Sequence, residues 1–73
     1  MVNYYLNLNA QSNGDHEIHK GTCYYYYTYK NGYNFELLGA FQRDVDALNY
    51  AKRKHPSLKI DGCSYCCPSI HNH

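Results

Sequence analysis

The chain has 73 residues, a net charge of +1 with neutral histidines, four cysteines, five histidines and ten tyrosines. That length allows one domain with a thin core, which buries only about 60–65% of the surface the unfolded chain exposes. The near-neutral charge excludes a broad field for nucleic acid or an anionic membrane, so nucleic acid is not an expected partner. No run approaches the roughly 18–20 apolar residues of a membrane span.

Met1 to Ala10 lacks a basic start followed by an apolar run, so no secretory signal is read there and a cytoplasmic location is expected. Thiols stay reduced in that compartment, where clustered cysteines point to metal or redox chemistry. Val2 to Asn9 sets Tyr4, Leu6 and Leu8 against Tyr5, Asn7 and Asn9, the alternation of a half-buried strand. Ser12-Asn13-Gly14-Asp15 supplies a turn. A second strand is expected over Asp15 to His19, with Ile18 and His16 on one face and Glu17 and His19 on the other.

The aromatic run Cys23 to Tyr29 reads as a third strand, because tyrosine and threonine favour strands. Asn31-Gly32 then reads as a hairpin turn, with Tyr33 to Phe41 returning and Gly39 at a bulge. Asp44 to His55 is the one helix expected. Val45, Leu48, Ala51 and His55 form its apolar stripe, Asp44 its N-cap, and Lys52, Arg53 and Lys54 its basic end. Pro56 stops it. Leu58 to Ile60 begins a last strand, Asp61-Gly62 turns the chain, and Cys63 to Cys67 continues it. The sum is a single α+β domain over residues 1–73, a small antiparallel sheet of four to five strands covered on one face by a single helix. Val45, Leu48 and Ala51 are expected to pack on Leu6, Leu8, Ile18 and Leu38.

The tail is the chemically dense part. Cys63 and Cys66 have the C-x-x-C spacing that points two sulfurs at one ion, and Cys67 with His71 adds a C-x-x-x-H pair. His16, His19 and Cys23 add H-x-x-H and H-x-x-x-C spacings. A zinc site built from Cys23, Cys63, Cys66 and either His71 or His19 would tie the sheet to the tail. Two other readings remain open. The cysteines pack as small buried hydrophobes, or they form disulfides, for which four cysteines allow three pairings. A regular strand over Cys63 to Cys67 would point Cys63 and Cys66 to opposite faces and deny them a shared ion.

Thiol-disulfide exchange by Cys63 and Cys66 is the redox alternative, and it needs a depressed thiol pKa. Tyr25, Tyr27 and Tyr29 offer an aromatic face to a protein partner or a second copy, while Tyr24 and Tyr26 pack on the helix. His55 reads as a helix-end dipole partner and Asp61 as a turn residue. His71-Asn72-His73 shares only its letters with a nuclease motif, whose positions are spread over a hairpin and helix. No catalytic triad, paired carboxylates or phosphate-cradling loop is visible, so a non-enzymatic role is expected.

G-D-H-E-I-H-K at Gly14 to Lys20 with Cys23, L-G-A-F at Leu38 to Phe41, and D-G-C-S-Y-C-C-P at Asp61 to Pro68 resemble a group of short, uncharacterised bacterial proteins. The resemblance covers nearly the whole chain. It implies a compact α+β fold and no activity. Where some members of that group carry a further cysteine before the tail histidine, this chain has Ile70, which counts against a metal site confined to the tail.

Overall fold

The computed structural model describes residues 1–72; His73, the last letter of the tail motif, lies outside them. The α+β class holds, as a four-stranded sheet with two helices. In chain order these are β1 (Val2–Asn7), β2 (Asp15–Lys20), α1 (Tyr24–Tyr29), β3 (Phe35–Phe41), α2 (Asp44–Lys54) and β4 (Lys59–Gly62), followed by a 3-10 turn over Pro68–Ile70. The sheet order is β3-β1-β2-β4.

β1 is central and antiparallel to both neighbours, with Leu6 opposite Ile18 on one side and Glu36 on the other. Its even residues Tyr4 and Leu6 are buried against α2, while Tyr5 and Asn7 face the opposite side. The expected bulge occurs in β3: Tyr4 pairs with Gly39 and Tyr5 with Leu37, so Leu38 is the extra residue. Gly39 takes a positive φ of 127°, which other residues rarely adopt.

α2 carries the chain from one edge strand to the other. A helical crossover returns it to the same end of the sheet, so β4 joins β2 in parallel and the sheet is mixed, not antiparallel throughout. The buried stripe of α2 is Ala47 and Ala51, one turn apart, with Leu48 and Tyr50 at its margins. Val45, expected in that stripe, is exposed, and so is Leu8, which lies beyond the end of β1. Alanines facing the sheet let the helix approach closely and leave room for Tyr4, Leu38, Cys67 and Ile70 to fill the layer between. Asp44, expected as the N-cap, is instead the first residue of α2, with Arg43 at the cap and no side-chain capping bond, and its carboxylate is turned inward. It accepts Tyr4 Oη–H at 2.6 Å and Ser69 Oγ–H at 3.0 Å. Burial, and then that bond to Asp44, push the Tyr4 phenol pKa up.

Five further expectations are corrected. Residues 24–29 are helical, not a strand. The Gly32 and Tyr33 amides close on the Tyr29 carbonyl at 3.0 and 3.1 Å, so Asn31-Gly32 ends a helix in place of turning a hairpin. A short helix lets Tyr26 stack on Tyr5 across 4.2 Å while meeting Phe35 edge-on. Tyr24 therefore points to solvent and Tyr26 packs on the sheet face opposite α2, not on the helix. Asp61-Gly62 lies inside β4, where Asp61 is buried and accepts the Asn72 N–H at 2.8 Å. Cys63 to Cys67 is a turn and not a strand.

Glu36 reaches from β3 to the end of α2. His55 Nε2 lies 2.9 Å from its Oε1, and Lys54 pairs with its Oε2. The Lys54 contact, then the His55 contact, hold the Glu36 carboxyl below its usual range, against the opposing effect of burial. A carboxylate depressed in the folded state adds stability that is complete above its unfolded pKa of about 4.3 and is lost as pH falls through the lower folded value. Urea titrations of the wild type and Glu36→Gln from neutral pH down through that window should show a steeper loss for the wild type. Parallel curves would remove the pair from the stability balance.

Candidate metal centre

His19 lies on the face of β2 turned away from α2, beside Tyr5, its partner in register. The chain leaves β2 through a turn in which the Cys23 N–H donates to the Lys20 carbonyl at 2.9 Å. That turn brings Cys23, just before α1, back over the strand, and its Sγ lies 3.7 Å from His19 Nδ1. The tail supplies the other half. Gly62 is level with Ile18 in the parallel pair, so the next residue, Cys63, arrives beside His19, its N–H donating to the Ile18 carbonyl at 2.9 Å. Cys63 Sγ is 4.0 Å from Cys23 Sγ. A turn closed by the Cys67 N–H on the Cys63 carbonyl at 2.8 Å then curls Cys66 into the same place.

The result is four ligand atoms, from His19, Cys23, Cys63 and Cys66, all within 4.8 Å of one another. Zinc–sulfur bonds of about 2.3 Å in tetrahedral array place neighbouring sulfurs about 3.7 Å apart, so the group closes on one ion with small adjustments. Because Cys63 to Cys67 turns, the objection that a strand would part Cys63 from Cys66 does not apply.

Backbone amides are aimed at the sulfurs. The backbone amides of Tyr25 and Tyr26 near Cys23, and of Tyr65 and Cys66 near Cys63, act to lower those thiols. The Lys20 N–H donates to Cys66 Sγ at 3.3 Å. Such donors favour the thiolate form that a metal needs. Against them, burial pushes the Cys23 thiol up and the Cys63 thiol up to about 12. The contact with Cys67, whose Sγ is 3.7 Å away, and then burial raise Cys66. Burial also lowers His19 to about 4, leaving a neutral imidazole. Its Nε2 lies 3.4 Å from Glu17 Oε1. Its Nδ1 is the ring nitrogen that faces the Cys23 sulfur.

His71, the other histidine considered for the site, is not among the four. Its Nδ1 lies 2.9 Å from the Gly62 carbonyl and 3.0 Å from Asp61 Oδ2, which fastens the tail to β4. His16 is turned to the Asn7 carbonyl at 3.0 Å and His55 to Glu36. All four cysteines are free. Glu17 was not named as a site residue from the sequence, although its parity with His19 on one strand face was the available signal.

Four protein donors fill a tetrahedral shell and leave no position for a reacting water, which marks structural rather than catalytic metal sites. Among the described residues, no helix is long and apolar enough to cross a membrane. No family model, no curated protein and no solved structure matches the chain.

Proposed function

We propose that this protein is a non-enzymatic module in which His19, Cys23, Cys63 and Cys66 hold one structural zinc ion, and that it serves a protein interaction or regulatory role. The convergence of four buried or half-buried N/S donors from β2, the start of α1 and the tail turn carries this reading. Three sulfurs with one imidazole suit zinc over the harder cations, which prefer oxygen. The ion would join chain segments separated by 40 residues in a core too thin to hold them firmly alone.

Metal analysis of protein expressed without a histidine tag tests it. About one equivalent of zinc is expected, with a large fall in melting temperature on adding a chelator. Less than about a tenth of an equivalent, and melting indifferent to chelator, would overturn the zinc assignment.

A second reading, a metal-free interaction domain, draws on the tyrosines. Tyr25, Tyr27 and Tyr29 are 42%, 70% and 45% exposed, a large aromatic surface for so small a protein. The tyrosine surface would meet a partner or a second copy; the metal analysis above separates this metal-free reading from the first. The redox alternative is disfavoured by the raised thiol pKa values of Cys63 and Cys66, since exchange requires a thiolate near neutral pH.

A further inference from the structure

Beside the metal centre, on the face opposite α2, lies an open cavity of about 700 Å³, within the size range of small-molecule sites. Five of its fourteen lining residues are aromatic: Tyr25, Tyr29, Tyr33, Phe35 and Tyr65. The rings are set at right angles in pairs. Tyr25 and Tyr65 meet edge to face with centroids 5.4 Å apart at 89°, and Tyr29 and Tyr33 meet at 5.6 Å and 80°. Each pair forms a corner, and the four tyrosines remain between 42% and 65% exposed. The remaining walls are amides, hydroxyls and metal-centre residues. No lysine or arginine lines the cavity, and Glu17 is its one carboxylate.

We propose that this cavity is a binding site for a quaternary ammonium group, held by the tyrosine faces with Glu17 as counter-charge. The negative faces of aromatic rings attract cations, and four partly exposed tyrosines line this one cavity. A fully methylated ammonium fits better than a primary amine. It carries no N–H donors to leave unmatched against ring faces, and its charge is spread over methyl groups that the rings pack against. The cavity stands on its own geometry, but an occupied metal centre would strengthen it. Three thiolates and a neutral imidazole around a dication leave one net negative charge, and Cys63 and His19 belong to the cavity wall.

The test is calorimetry and amide NMR on the full chain with three probes: choline, its neutral carbon isostere dimethylbutanol, and a trimethyllysine peptide alongside its unmodified twin. Choline or the methylated peptide should bind at least about tenfold tighter than its uncharged or unmethylated counterpart, about 1.4 kcal/mol, with the largest shifts around Tyr25, Tyr29 and Tyr33. Preference for choline over the peptide assigns a free small molecule, and the reverse assigns a protein-borne group. Tyr29→Leu with Tyr33→Leu should lose at least about tenfold of that binding at unchanged melting temperature and zinc content. Equal binding of choline and dimethylbutanol, or no binding of choline and of the methylated peptide, overturns the proposal. Zinc content measured on the same samples keeps that failure separate from a failure of the metal assignment.

Discussion

Replacing Cys63 by serine should abolish stoichiometric zinc binding and destabilise the protein by several kcal/mol, the largest effect expected of any single side-chain change. Cys63 stands at the centre of the group. Its sulfur lies against Cys23, and its own backbone continues the β2–β4 pairing. Structural zinc contributes its binding energy directly to folding, so losing one of four donors weakens the fold as well as the site. Cys23→Ser and His19→Ala should act in the same direction. Two neighbouring changes serve as controls. His71→Ala should keep zinc, because that ring is engaged with Gly62 and Asp61. Cys67→Ser should keep zinc too, at a cost of about 1–3 kcal/mol for a hydroxyl placed in a fully buried core position. Elemental analysis, and the thiolate-to-metal absorption of the cobalt-substituted protein, read the donor count directly. A Cys63→Ser protein that binds zinc as the wild type does, or a His71→Ala protein that loses it, would contradict the ligand set.

Gly62→Ala is the second large effect, with an expected loss of about 3 kcal/mol and reduced zinc occupancy. The glycine is needed for space and not for an unusual backbone angle. A methyl group at that position would collide with Ile70 Cγ1 and stand 2.9 Å from the Cys67 carbonyl oxygen. Relief requires moving the 3-10 turn off β4, and that turn continues directly from Cys63 and Cys66. The double variant Gly62→Ala with Ile70→Ala should recover part of the zinc occupancy, since the side-chain half of the clash is removed. Thermal melting and metal content of the three proteins check it, and a Gly62→Ala protein as stable as the parent would show that the tail yields without cost.

How much of this was legible beforehand differs from segment to segment. β1 and β2 follow from alternation alone: Tyr4 and Leu6 against Tyr5 and Asn7 leaves one register that buries the apolar side. α2 follows from its charge order and from Pro56, although the width of its buried stripe does not. The choice between Val45 and Ala47 depends on how near the helix lies to the sheet. Residues 24–29 illustrate the limit. A run of tyrosines has no apolar-polar period, so strand and helix predict the same sequence, and propensity favoured the strand. The helix sets Tyr26 against Tyr5 and Phe35 on the sheet face.

The sequence by itself determined the donor types, the C-x-x-C spacing, and five candidate residues, four of which the fold brings together. It left His19 and His71 undecided because spacing carries no information about which face a side chain takes in three dimensions. Only the tertiary structure decided that. The α2 crossover lays β4 parallel to β2, which puts Cys63 beside His19, while Asp61 and the Gly62 carbonyl engage His71. The same crossover decided the cavity. Tyr65 reaches Tyr25 only because the tail turn is delivered to the sheet face that α1 covers, a pairing of residues 40 positions apart that no local pattern encodes.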